Sequence, residues 1–273
     1  MTPIDAGVDW SAPWLSGIRE LGSAITQAHD WRAELNRQAQ QRDLRNHSGN
    51  RLRFIQQQEL PAGAAYEAHI FATGEVPTRD NLHDFFNALV WLTYPRIKIQ
   101  LNALQAAQIA RLGVGKSRGA ARDAATLFDE NAALLAVSDT PKGQTIVQAL
   151  RQHQWDSVFV QQQSQFLAHA EVFLFGHALM EKLTQPYKAI TAHTLVCWVD
   201  EPFHHLAPVQ QRAHLDQLLA AQLDRNQSGQ ELLPSAFSPL PILGVPGWWP
   251  DQDAQFYADT SVFRPARQPK NPT

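Results

Sequence analysis

Between Asn81 and Gln105 the chain reads NLHDFFNALVWLTYPRIKIQLNALQ. Leu82, Phe85, Phe86, Leu89, Val90 and Trp91 recur at helical steps, and His83, Asp84 and Asn87 are set among them. Asp80 or Asn81 caps a helix that reaches about Tyr94, and Pro95 opens a following helix that runs from about 96 to 112 and stops at Gly113. A polar group buried in so apolar a run must be paired or used, because leaving it unpaired costs roughly 1–3 kcal/mol. This run is therefore the first place to look for chemistry.

Upstream, Trp14, Ile18, Leu21 and Ile25 recur at steps of three and four, so residues 10–42 read as one or two helices, with Asp30 capping the second. RNHSGNR (45–51) is a polar turn. LRFIQQQEL (52–60) and AAYEAHIFA (64–72) read as extended segments of a hairpin around Pro61 and Gly63. Downstream, GVGKSRG (113–119) is a loop without the GxxxxGK[ST] spacing of a phosphate cradle. Residues 118–128 read as a helix, 132–137 as a strand, 143–152 as a helix, and FLAHAEVFLF (166–175) as a buried strand ended by Gly176. Helices are expected at 177–183, 187–198 and 208–224. PLPILGVPGWWP (239–250) cannot be a regular helix, and Trp248 and Trp249 make it an ordered, packed loop.

The pattern predicts an α+β fold in one globular domain, predominantly helical, with a small sheet of about four or five short strands. An N-terminal helical segment (1–48) precedes the main α+β domain (49–263), and a disordered tail (264–273) ends it. The chain has 273 residues, long enough to fold without a disulfide or structural metal.

Composition narrows the classes. A net charge of −3 gives no general pull toward nucleic acid, although Arg42, Arg45, Arg51 and Arg53 mark a local basic patch. The single cysteine, Cys197, lies between Val196 and Trp198 and reads as a small buried hydrophobe. No secretory signal and no apolar run of about 18 residues is visible, so the expected location is the cytoplasm, away from the membrane.

Three polar groups are candidates for chemistry. His83, Asp84 and Asn87 lie on neighbouring stripes of one helix. His177 and Glu181, one turn apart just after Gly176, can present two ligands to one metal. Asp129 and Glu130, with Asn131, end a helix and can offer oxygen ligands or bind Arg118 or Arg122. His193 is a further candidate ligand. His83, Asp84, His177, Glu181 and one of Asp129 or Glu130 are expected to converge on a single cavity. The GxSxG and GxGxxG motifs are absent.

LHDFFNALVWLTYPRIKIQLNAL (82–104), RDAATLFDENAALL (122–135), FGHALMEKL (175–183), TAHTL (191–195) and PLPILGVPGWWP (239–250) together resemble a bacterial family called domain of unknown function 3025. The resemblance spans roughly residues 50 to 265. It implies no activity and no catalytic residues.

The residues themselves favour a metal-assisted hydrolase. His177, Glu181, His193 and Asp129 would hold a divalent ion (zinc, manganese or magnesium), and Asp84, His83, Asn87 and Glu130 would serve as catalytic groups around a bound water. The rival is a non-catalytic protein whose polar groups organise the core and whose Trp248–Trp249 loop meets a protein partner. A nuclease of the His-Me finger type is a second rival, with His69 as a strand-borne base near Asn102.

Overall fold

The computed structural model describes residues 4, 7–112, 120–226 and 232–266. The loop expected at 113–119 and most of the expected tail lie outside them. A 3-10 turn, Pro13–Leu15, leads into α1 (Arg19–Thr26) and α2 (Trp31–Gln41). Asp30 caps α2, its carboxylate accepting from the backbone N–H groups of Arg32 and Ala33.

Strand β1 (Arg53–Gln56) comes next, and the segment read as its hairpin partner is instead helix α3 (Tyr66–Thr73). The aromatic and aliphatic content of AAYEAHIFA suggested a strand. The actual partner is β2 (Glu75–Thr78), which runs parallel to β1, with Arg53 opposite Glu75. Parallel neighbours need a crossover rather than a tight turn, and α3 supplies it. Gly74 closes α3 at φ +79.

Helix α4 (Leu82–Thr93) starts where the capping signal placed it: the Asn81 side chain accepts from the Asp84 N–H at 2.8 Å. Helix α5 (Pro95–Leu112) begins on Pro95, and α6 (Ala120–Asn131) delivers the chain directly into β3 (Ala132–Ser138). All seven residues of β3 are buried. After α7 (Pro141–Arg151), the run expected as one strand divides into α8 (Gln163–His169) and β4 (Ala170–Leu174). Its first half exposes Leu167 and Ala168, whereas four of the five residues of β4 are buried in the sheet. Helix α9 (His177–Lys182) follows.

The helix expected at 187–198 is β5 (Thr191–Val199). Its β-branched Thr191, Thr194, Val196 and Val199 suit a strand, and burial alternates over its first four residues. Helix α10 (Pro208–Asn226) precedes β6 (Phe237–Pro241), and α11 (Ala254–Tyr257) follows it. The main sheet has the order β4-β3-β5-β6, with β3 and β5 parallel and the two edge strands antiparallel to them. Pro239 and Pro241 lie on an edge strand, where a missing N–H is tolerated.

The architecture is α+β, with a two-stranded and a four-stranded sheet. Trp248 and Trp249 pack partly buried against the core, Trp248 beside Trp14. Cys197 is fully buried in β5, and burial pushes its thiol up to about 12. The arginines of the basic patch are engaged locally: Arg42 with the Leu92 carbonyl, Arg45 and Arg51 with Asp43, and Arg53 with Glu75. No described helix is long and apolar enough to cross a membrane.

Gly176 joins β4 to α9 at a close crossing. A Cβ there would lie 2.5 Å from the Ala132 nitrogen and from the Glu130 carbonyl. Gly176→Ala is expected to destabilise by about 1–3 kcal/mol through overpacking against backbone that cannot yield. In Gly63→Ala only the left-handed backbone is strained, because nothing lies within 4 Å of that position. Thermal unfolding of both variants checks this: Gly176→Ala should lose several degrees and more than Gly63→Ala, and an unchanged Tm for Gly176→Ala would refute the crossing's role.

Candidate functional site

Four helix ends meet at the polar cluster. His83 lies in the first turn of α4, Lys98 in the first turn of α5 and Asp129 in the last turn of α6, and α9 carries His177 and Glu181. The close crossing at Gly176 brings His177 against the end of α6. Phe128 and Phe175 stack at 4.7 Å beside it and fix the spacing.

A row of contacts runs from the surface inward. Glu181 Oε2 lies 2.9 Å from His83 Nδ1. His83 Nε2 lies 3.1 Å from His177 Nε2. His177 Nδ1 faces Asp129 Oδ2 at 3.8 Å, too far for a hydrogen bond, and the Asp129 backbone carbonyl also acts on this ring. The Asp129 carboxylate accepts from the Lys98 ammonium at 2.5 Å. Lys98 also donates to Asn87 Oδ1 at 2.9 Å, and Asn87 donates to the Tyr66 hydroxyl at 3.1 Å. The outer end is open to solvent: the side chains of His83 and Glu181 are 33% and 41% exposed, against 6% and 11% for His177 and Asp129.

Burial opposes the charge on Asp129, yet Lys98, His177 and His83 outweigh it and hold the carboxyl below its ordinary value. Burial takes His177 down to about 4, against the pull of Asp129. His177 is therefore neutral near pH 7. Glu181 accepts a proton from His83 Nδ1, which leaves His83 Nε2 facing His177 Nε2, and the tautomer of His177 sets which ring donates across that contact.

Of the residues singled out in the sequence, His83, His177, Glu181 and Asp129 form this row, and Asn87 joins it through Lys98. The others have different surroundings. Both Asp84 oxygens are held by Arg79, whose guanidinium and backbone N–H donate to them. Glu130 is exposed. His193 accepts from Asn131 Nδ2 at 2.9 Å and lies apart on β5. His69 sits on a helix and faces Glu75, so the strand-borne base of the nuclease reading is not in place. Among the described residues, no group of three or more His, Cys, Asp and Glu side chains is arranged to hold a metal ion.

The sequence reading missed Lys98, Tyr66 and Glu67. Lys98, Asn102 and Gln105 are buried along one stripe of α5 at spacings of four and three, and a lysine within an apolar run was a usable signal. Glu67 and Tyr66 were hidden by reading their helix as a strand. Glu67 is half-buried and accepts from Asn102 Nδ2 at 2.7 Å. Burial pushes its carboxyl up to about 7, against the pull of Lys98.

These two shifts act on stability with opposite sign. His177 titrates at about 4 when folded and near its ordinary 6.5 when unfolded. The unfolded chain takes up that proton first, so this contribution is present above 6.5 and lost as pH falls toward 4. Glu67 keeps its proton to about 7 when folded, against an ordinary 4.5. Its contribution is present below 4.5 and lost as pH rises through 7. Urea unfolding of wild type and Glu67→Gln between pH 4.5 and 7.5 should show the variant gaining on the wild type as pH rises. Parallel stability curves would refute the burial of an ionisable Glu67.

No curated protein and no solved structure matches the chain. A family model described as "Protein of unknown function (DUF3025)" matches residues 52–267, which include every residue of the row from Tyr66 to Glu181. The match extends over most of the sequence, and the chain belongs to that family.

Proposed function

We propose that this protein is a hydrolase in which His83, oriented by Glu181, acts as the general base. The observation that supports it is the carboxylate–imidazole pair at the solvent-open end of a buried polar row. A carboxylate on Nδ1 fixes the ring's tautomer and stabilises the imidazolium that forms when Nε2 takes a proton. A water or substrate hydroxyl entering beside Nε2 displaces the His177 contact and is deprotonated there. His177, kept neutral by burial, does not compete for that proton. The Lys98–Asp129 pair sets the field behind it.

The test uses a panel of p-nitrophenyl esters and phosphates with wild type, His83→Gln and Glu181→Gln. General-base catalysis contributes about 10²–10⁴-fold, and His83→Gln should lose that much turnover. His83 is partly exposed, so the Tm should stay within a degree or two, as for other surface changes of about 0.5 kcal/mol. Equal turnover in wild type and His83→Gln, or no turnover by the wild type on any of the panel, would overturn the reading.

One observation supports a metal-assisted form of the same reaction. The two Nε2 atoms face one another at 3.1 Å, close to the separation of two imidazoles on one zinc ion with Zn–N of about 2.0–2.1 Å, and both outer nitrogens face carboxylates. Two protein ligands are fewer than the three usual in catalytic zinc sites. Zinc titration by calorimetry separates the forms. Stoichiometric binding that His177→Ala abolishes supports a metal on the histidine pair, and no binding leaves the acid–base form alone.

A further inference from the structure

At the opposite end of α4 lies a cavity of about 130 Å³, lined by segments from several parts of the chain. The 3-10 turn brings Trp14, the end of α4 brings Tyr94, edge strand β4 brings Glu171, and α10 brings Gln211 and Arg212. Ile18, Phe173, Leu174 and Met180 supply apolar wall. None of these residues belongs to the histidine row.

The polar groups here are left incomplete by the fold. The Trp14 indole N–H is buried and makes no hydrogen bond. A buried donor without a partner costs roughly 1–3 kcal/mol and calls for an explanation such as a ligand. Arg212 takes part in none of the ion pairs found among the described residues, although Glu171 lines the same cavity. The Glu171 carboxylate accepts only from Gln211 Nε2, at 2.8 Å. Arg212, Asp216 and Glu171 all act on the buried Tyr94 hydroxyl, and the Asp216 carboxylate is already taken up by the backbone N–H groups of Arg96 and Ile97. A guanidinium and a carboxylate facing one cavity without meeting present complementary charges to a molecule placed between them.

We infer that this cavity binds a small zwitterionic amino acid, its carboxylate on Arg212 and the Trp14 N–H and its ammonium on Glu171. Size limits the ligand. An apolar cavity of roughly 150 Å³ admits benzene, with its six heavy atoms, and alanine also has about six. The Ile18, Leu174 and Met180 surfaces receive a methyl group and leave little room for a longer side chain. Trp14 and Ile18 precede the region matched by the family, so the site belongs to this chain's own N-terminal segment as much as to the family's fold.

The experiment is calorimetric titration of the full chain with L-alanine, and in parallel with acetate and ethylamine, each of which carries only one of the two charges. Saturable one-to-one binding of L-alanine is expected, with both single-charge probes weaker by about tenfold or more, as the loss of a charge-assisted hydrogen bond implies. Arg212→Gln and Glu171→Gln should each weaken L-alanine by a similar factor. Trp14→Phe, which removes the N–H and keeps most of the packing, should weaken it by about two- to tenfold. Circular dichroism and Tm confirm that each variant folds. Absence of saturable L-alanine binding to the wild type would overturn the inference. So would acetate binding as tightly as L-alanine, or folded Arg212→Gln and Glu171→Gln variants with wild-type affinity.

Discussion

The buried ion pair between Lys98 and Asp129 constrains everything near the histidine row. Removing an ammonium or a carboxylate from water costs several kcal/mol, and the cost is offset only when the partner and further hydrogen bonds are in place. Here Asp129 accepts from Lys98, and Asn87 supplies a second acceptor. The first turn of α5 is thereby fixed against the last turn of α6, while Asn87 ties in α4. Because α6 runs without a loop into β3, the pair also sets where the central strand begins. The Gly176 crossing then brings α9 onto the same point.

The same pair bears on the charge of His177, the inner of two histidines in contact. His177 is deep enough that a second positive charge beside Lys98 is unfavourable, and Asp129 does not compensate fully. His83 is nearer to water and has Glu181 to itself. The buried Lys98–Asp129 pair thus gives the outward-facing His83–Glu181 pair a fixed charged background, which a lone surface histidine lacks.

Much of this could be read from the sequence where local chemistry decides. Asn81 and Pro95 fixed the ends of α4 and the start of α5, and His177 and Glu181 shared a face because they are four apart. Reading failed where tertiary pairing decides. Thr191–Val199 becomes a strand because β3 offers a parallel partner, and Tyr66–Thr73 becomes a helix because β1 and β2 need a crossover. Glu67 vanished with the second error. Asp84 looked like a catalytic carboxylate because its neighbours were apolar, but five residues earlier Arg79 had the reach to neutralise it. Sequence spacing shows which residues share a face. It does not show which of them already have partners.

Helix α4 links the two polar sites. Its first turn carries His83 and its C-cap is Tyr94, about 16 Å along the axis at 1.5 Å per residue. Between them Phe85, Phe86, Ala88, Leu89, Val90 and Trp91 are all buried, so the helix is held on every side. Part of that enclosure comes from outside the matched region. Trp10 packs on Phe85 and Phe86, Trp31 packs edge-on against Phe85, and Trp14 meets Trp248. Leu15, Ile18, Ile25 and Leu35 belong to the same continuous core. The hydrophobic core thus does not stop at residue 52, where the family match begins. The N-terminal helices complete the burial of the helix that positions the histidine row, and on physical grounds they are part of one folding unit with it.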